Sequence, residues 1–380
     1  MEHVPLLLLS DSPSASSGLG RICRDLATRI HADMPEFEIA VAGYGGFGSS
    51  KFGWKEYHLS VNENWLYPEL PMVWEDFAGD RKGVWMSIGD LSRFWWMNHT
   101  GVAPHVRQWI ANPKMKKWIY HPVDAEGPNG KLSLRLAETM KCFDRVLDYS
   151  EFSCRVTGNT EHLPHGIDTS VFKPHDRLAA KRKFRELGFS NLAADSFLVG
   201  IVATNQARKD WALAFETCRI LLDRGLDVKM WCHTDAVERF WSLPNLISDF
   251  GLQDRVCITN ARFTDEQMAG FYSACDVTLS IGLGEGFGFS TYESLACGTP
   301  VVTGDYCGSE WIKRDAGGYL AEPIAYRYEG IYACKRPVYD PREWDNGARR
   351  VNGQAACLPP ELDWDNLWPR WKSWLLEGVK

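Results

Sequence analysis

Apolar and polar positions along this chain alternate in two separate series. The first begins with Val4–Leu9, a short continuous apolar run that reads as a buried strand. Ser12–Gly20 is a small-residue loop, and Arg21–Met34 has helical spacing with Ile22, Leu26 and Ile30 on one face. Further short strands follow at Glu38–Ala42, Val84–Ile88, Lys117–Tyr120 and Arg145–Leu147. Helical stretches near Val102–Ala111 and Leu132–Lys141 separate the later ones. Strands that alternate with helices predict a parallel sheet covered on its faces.

The second series starts at Phe197–Ala203, again a strand. Asp210 is placed to cap a helix that runs through Asp223 and closes at Gly225. Val228–Cys232 and Val256–Thr259 are strands, and Thr264-Asp265-Glu266-Gln267 is a capping box that opens a helix to Ala274. Then come a strand at Val277–Ile281, a helix from Ser290 and a strand at Val301-Val302. Residues 168–195 are charged and read as the linker between two domains, 1–167 and 196–363. After Pro323 the pattern breaks: residues 325–357 show no clear period. Helical spacing resumes at Trp364–Leu376. The expected architecture is α/β, with two doubly wound Rossmann-like halves and a cleft between them.

A chain of 380 residues supports two domains of ordinary size. Its net charge of −7 gives no dominant attraction for nucleic acid or anionic lipid. The eleven cysteines are scattered, without a C-x-x-C pair or a dense Cys/His cluster, which argues against a zinc site and for free thiols in a reducing, cytoplasmic setting. Leu6-Leu7-Leu8-Leu9 is too short for a membrane span or a signal-peptide core. Gly43-Tyr44-Gly45-Gly46-Phe47-Gly48 matches G-x-G-x-x-G after a strand. The next residues, Ser49-Ser50-Lys51-Phe52-Gly53-Trp54, do not start a helix, so the pyrophosphate logic of that motif fails.

The chemistry concentrates in Glu285-Gly286-Phe287-Gly288-Phe289-Ser290-Thr291-Tyr292-Glu293. Two carboxylates separated by seven residues flank a Gly-rich turn and a helix start, at the carboxyl end of a strand where parallel sheets bind ligands. Such carboxylates accept hydrogen bonds from sugar hydroxyls, while backbone N–H groups of the turn face an anion. Ser290-x-x-Glu293 is also a capping box, so a purely structural role for Glu293 stands beside the functional one.

This stretch resembles the E-x7-E signature of retaining glycosyltransferases of the GT-B fold, in particular family 4. Gly298-Thr299-Pro300-Val301-Val302, Gly308-Ser309-Glu310, Leu163-Pro164-His165-Gly166-Ile167-Asp168 with Val171-Phe172-Lys173-Pro174, and the Arg208-Lys209-Asp210 turn fit the same family. The resemblance holds over about residues 145–320. It implies transfer of a sugar from a UDP- or GDP-sugar to a hydroxyl acceptor, with retention by front-face attack and with no prosthetic group. Arg208 and Lys209 would clamp the donor diphosphate in place of a metal, and no carboxylate pair is set up for Mg²⁺. Glu285 would hold donor sugar hydroxyls and Glu293 the ribose, beside Gly286, Phe287 and Gly288. Gly18 and Gly20 would lie against the donor phosphate, His121 against the transferred sugar, and Arg262-Phe263 against the nucleobase. The final helix, 364–380, would return to the first domain.

The acceptor is open at this stage. Asp90 and Asp124 follow strand ends, and Trp95 and Trp96 offer an aromatic platform. A glycan, lipid or small molecule is the favoured class, with a hydroxylated base in DNA as the alternative. Lys114-Met115-Lys116-Lys117-Trp118 is either a peripheral membrane contact or a solvated strand entry. Two other readings compete with a transferase. One is a nucleotide-sugar-binding module without catalysis. The other is a dehydrogenase that uses the Gly43 loop.

Overall fold

The structure is a computed structural model, and it describes residues 3–45, 52–60, 68–185, 196–312 and 316–380. Among the described residues there are two six-stranded sheets and one two-stranded hairpin. The chain divides into two compact units: unit 1 is Met1–Pro164, Gly330–Ala333 and Pro369–Lys380, and unit 2 is His165–Glu329 and Cys334–Trp368.

The sheet of unit 1 is built from β1 (Val4–Asp11), β2 (Phe37–Tyr44), β3 (Lys55–His58), β4 (Gly83–Ile88), β5 (Met115–His121) and β6 (Arg145–Asp148). Its order is β3-β2-β1-β4-β5-β6, and the pairings are parallel. Leu6 pairs with Ile39 on one side and Val84 on the other. Leu6 to Leu9 are 0–1% exposed, which explains the continuous apolar run: a strand covered on both faces has no polar side. The helix after β1 spans Gly18–Asp33, so it starts three residues before the expected Arg21. Ser17 caps it, its hydroxyl accepting from Gly20 N–H at 3.0 Å.

The sheet of unit 2 comprises β7 (Phe197–Val202), β8 (Val228–His233), β9 (Val256–Thr259), β10 (Val277–Ser280), β11 (Val301–Gly304) and β12 (Gly318–Ala321), in the order β12-β11-β10-β7-β8-β9. From β7 the chain builds outward through β8 and β9, then returns to the other side of β7 with β10. The order therefore reverses between β7 and β10, and the crevice at their carboxyl ends is where an open α/β sheet binds ligands. Asp210 caps Trp211–Asp223 through Leu213 N–H at 3.1 Å. Trp211, Ala214, Phe215, Cys218 and Leu221 bury one face of that helix completely. Each large apolar side chain so buried contributes about 1.5–3 kcal/mol.

The region after Pro323 is more regular than its sequence suggests. β13 (Ala325–Glu329) and β14 (Cys334–Val338) form an antiparallel hairpin, followed by a helix at Pro341–Val351. Trp344, Ala348 and Val351 do fall at helical spacing and are buried, but Gly347 and Asp345 interrupt the apolar stripe. A Cβ on Gly347 would meet the Tyr319 ring at 2.5 Å, so close packing requires glycine there. Asp345 is fully buried between Arg224 at 3.0 Å and Arg349 at 3.2 Å. The helix Trp364–Val379 contributes to both units. Within unit 1, Trp371 lies against Tyr120 with ring centroids 4.8 Å apart, and Trp374 against Trp118 at 5.2 Å.

Of the Gly43–Gly48 motif, Gly46, Phe47 and Gly48 lie outside the described residues, as do residues 186–195 of the expected linker. Among the described residues, no helix is long and apolar enough to cross a membrane.

Candidate functional site

In unit 2 the turn after β7 and the turn after β10 are laced together by their backbones. Asp210 N–H donates to Ile281 O at 3.0 Å and Leu283 N–H to Arg208 O at 2.8 Å, with a bridge between Lys209 and Gly282. This lacing brings the basic pair onto Glu285. Arg208 Nη1 is 3.0 Å from Glu285 Oε2 and donates to Gly284 O at 2.9 Å, and Lys209 Nζ pairs with Glu285 Oε1. Two cations on one carboxylate leave a net positive charge at the crevice. Such a cluster is fit to meet a phosphate, because charge-assisted hydrogen bonds are the strong ones.

The loop holding Glu285 is fixed from behind. Gly308 N–H donates to Glu285 O at 2.9 Å, and a Cβ on Gly308 would stand 2.7 Å from both Glu285 O and Phe287 O. Gly288 is left-handed, φ 89°, and caps the helix Phe289–Ala296. Phe287 is buried in a cluster with Phe289, Tyr292 and Trp311, so its ring shapes the loop from the inside. His165 is fully buried and packs edge-on to Phe289 and Trp364, both at 4.9 Å.

Glu293 is the fifth residue of that helix, at the start of its second turn, and is 4% exposed. The capping-box alternative is not what forms: the helix begins before Ser290, and its start has no side-chain cap bond. Glu293 Oε2 instead accepts from the Tyr272 hydroxyl at 2.6 Å. Tyr272 is a residue that sequence reasoning missed, since nothing in a helix interior marks one buried phenol as a carboxylate's partner.

Arg262 is exposed and Phe263 half-buried, just beyond β9. Phe263 stacks on His233 at the end of β8, with centroids 4.4 Å apart and 25° between planes. His233 Nδ1 lies 2.9 Å from Thr259 Oγ1. Burial pushes the His233 pKa down from 6.5 to about 4. The sign is that of a histidine kept neutral by the fold. Its contribution to stability is present above pH 6.5 and is lost as the pH falls from 6.5 towards 4, because only the unfolded chain gains the proton. His233→Gln should therefore flatten the decline of melting temperature between pH 6.5 and 4. An unchanged decline would remove His233 from the acid response.

In unit 1, Gly18 and Gly20 form the first turn of their helix rather than a loop before it. Gly20 packs on the preceding loop, where a Cβ would come within 2.6 Å of Ser12 O. His121 is 1% exposed, with Nε2 2.9 Å from Asp148 Oδ1 and Nδ1 3.2 Å from Pro122 O. Both ring nitrogens thus face protein oxygens. Trp96 is in the core beside Trp85, while Trp95 is half-buried beneath Arg135, 5.4 Å from its ring. Asp90 and Asp124 are partly exposed at strand ends.

Residues 196–327 match the family model described as Glycosyl transferases group 1. A D-inositol 3-phosphate glycosyltransferase of Stackebrandtia nassauensis is 31% identical over 202 residues, covering 50% of this chain and 40% of that protein. One of Mycobacteroides abscessus is 31% identical over 137 residues, covering 36% and 29%. The chain thus spans less than half the length of these curated relatives. Among solved structures, sucrose-phosphate synthase of Thermosynechococcus elongatus superposes with a TM-score of 0.73 at 16% identity, over 99% of each chain. Anabaena HepE, in complex with UDP and glucose, gives 0.71 at 15% identity over 99% of this chain and 100% of that one. The chain therefore has the GT-B fold, and it resembles the family 4 glycosyltransferases through residues 196–327.

Proposed function

We propose that this protein is a retaining glycosyltransferase, hexosyl or pentosyl, that moves a sugar from a UDP- or GDP-sugar to a hydroxyl acceptor without a divalent metal. The observation that carries the reading is the Arg208–Glu285–Lys209 cluster at the point where strand order reverses in unit 2. As the glycosidic bond breaks, negative charge grows on the leaving diphosphate. Arg208 and Lys209 stabilise it where it develops, as fixed cations that need no reorganisation. The same cluster orients Glu285 towards the donor sugar's hydroxyls. Glu293 receives the ribose, and Phe263 with Arg262 borders the base. In front-face attack the departing phosphate oxygen takes the acceptor proton, so the protein supplies position and electrostatics rather than a strong base. In unit 1 the helix start at Gly18 and Gly20 would offer backbone N–H groups to a phosphate. His121, enclosed by Asp148, would act by positioning.

The proposed division of labour gives residues 1–167 to the acceptor and 196–363 to the donor. A complex of HepE with UDP and glucose supports a nucleotide-sugar donor by analogy of fold. None of the eleven cysteines forms a disulfide among the described residues, which supports a reducing, cytoplasmic setting. The test is a panel of UDP- and GDP-sugars read by thermal stabilisation and by slow donor hydrolysis. Stabilisation with hydrolysis supports the transferase. Stabilisation without hydrolysis or transfer supports a non-catalytic binding module. No stabilisation by any member overturns both.

Glu293→Gln should weaken nucleoside diphosphate binding by about 1.5–3 kcal/mol, the range for a hydrogen bond to a charged group. Calorimetric titration measures this. Unchanged affinity with a lower melting temperature would leave Glu293 a structural partner of Tyr272 only.

A further inference from the structure

Gly282 stands where the two turns of the unit 2 site are stitched together. It lies just past β10 and forms the bridge to Lys209. Its chain neighbours make the flanking bonds, Asp210 N–H to Ile281 O at 3.0 Å and Leu283 N–H to Arg208 O at 2.8 Å. A Cβ built on Gly282 would overlap Glu285 Oε1 and would lie 2.8 Å from both Cδ and Cγ of the same side chain. That is well inside the roughly 3.5–4.0 Å at which non-bonded atoms attract. The Glu285 carboxylate is thus folded back over the bare Cα of residue 282. The fold-back carries it to Arg208 Nη1 at 3.0 Å and to Lys209 Nζ.

What a methyl group does at a glycine depends on what it meets. At Gly308 it meets backbone, Glu285 O and Phe287 O, so a side chain there displaces the loop itself. At Gly282 the three nearest atoms all belong to the Glu285 side chain. That side chain is 20% exposed, and a change of rotamer moves its carboxylate away at small cost. The backbone permits the change as well. Gly282 is not among the residues with positive φ, so alanine adopts its conformation. A side chain at 282 therefore leaves the loop standing and moves one functional group.

We infer that Gly282 is a positioning residue: its missing side chain seats the Glu285 carboxylate between Arg208 and Lys209, and through that seat it governs the rate at which the donor sugar is transferred. This rests on the transferase reading above. With the seat filled, Glu285 leaves the sugar and the two cations lose an anion. The turnover then falls while the hold on a diphosphate does not.

The experiment uses the full chain with UDP-glucose and GDP-mannose as donors, and continues with whichever is hydrolysed. Gly282→Ala should lower kcat for donor hydrolysis about 10- to 100-fold, the scale on which a misplacement of about 1 Å slows a reaction. Affinity for UDP or GDP, read by calorimetric titration, should be equal or higher. The melting temperature should move by no more than about 3 °C. A glycine needed only for the fold would lower all three together. Glu285→Ala removes the obstructed atoms and tests the route. In that background Gly282→Ala should lower kcat by no more than about threefold further, because two residues that act as one unit do not add. Radiolabelled donor followed over hours keeps these slow rates readable. Three results each overturn the assignment: a kcat in Gly282→Ala within about threefold of the unsubstituted protein, an equal loss in the Glu285→Ala background, or a loss of kcat accompanied by weaker diphosphate binding or a larger fall in melting temperature. With donor hydrolysis present in the unsubstituted protein they sink this assignment alone; absence of donor binding and hydrolysis there sinks the transferase reading and this one with it.

Discussion

Arg208→Ala and Lys209→Ala should each lower nucleoside diphosphate affinity by about 1.5–3 kcal/mol, or roughly 10- to 150-fold, while binding of the free nucleoside changes little. Both cations rest on Glu285, so they are held in place before a phosphate arrives. Removing one leaves the other to bind the carboxylate alone, and the net positive charge of the cluster disappears. The two losses should therefore not add. Residues that share one partner couple, and the double variant should fall short of the sum by about 0.5 kcal/mol or more. Calorimetric titration with UDP, GDP and the matching nucleosides measures all of these quantities. Equal losses for diphosphate and nucleoside would mean that the pair is not a phosphate clamp.

Glu285→Gln should reduce kcat by about 10²–10³, the range for removing one electrostatic contact to the transition state. Nucleotide affinity should be kept or rise. On the proposed reading the carboxylate is two things: a partner for the donor sugar and a brake on the charge of Arg208 and Lys209. An amide keeps the shape and an acceptor oxygen but releases the cations. Diphosphate binding therefore survives while orientation of the sugar suffers, which appears as lost kcat rather than raised KM. Steady-state kinetics with the stabilising donor separates the two. A fall in affinity with unchanged kcat would move Glu285 out of the sugar site.

Much of the fold was legible because the chain's buried strands are continuous apolar runs. Val4–Leu9, Val84–Ile88, Phe197–Ala203 and Val277–Ile281 all lie in strands of the two sheets or extend just past their ends. Short amphipathic pieces were harder. β3, Lys55–His58, has no fully buried residue, and Leu70–Ala78 packs as a helix too short to show a period. The helix Pro341–Val351 was hidden by an aspartate and a glycine in its buried face, and both are explained only by tertiary partners.

The site was legible in its backbone grammar and illegible in its partners. The Glu285–Glu293 spacing and the Arg208-Lys209 turn identified loops that the fold does bring together. Tyr272 below Glu293, and His233 stacked on Phe263, come from other strands and helices and carry no local signal. The same holds in unit 1, where Arg93, in the short helical turn after β4, reaches Asp11 at the end of β1. The tryptophans mislead in the other direction. Trp96 reads as a platform in a run of aromatics, yet it fills the core beside Trp85.

The most direct test needs no acceptor. Slow hydrolysis of an α-linked donor sugar can be followed by proton NMR before the freed sugar equilibrates between anomers. A retaining front-face enzyme, with Arg208 and Lys209 in the role of the metal, releases the α anomer first and does so at an undiminished rate in EDTA. Release of the β anomer first, or activity abolished by chelation and restored by Mg²⁺ or Mn²⁺, would contradict the account. The GT-B fold would stand in either case, since fold and chemistry are separate claims.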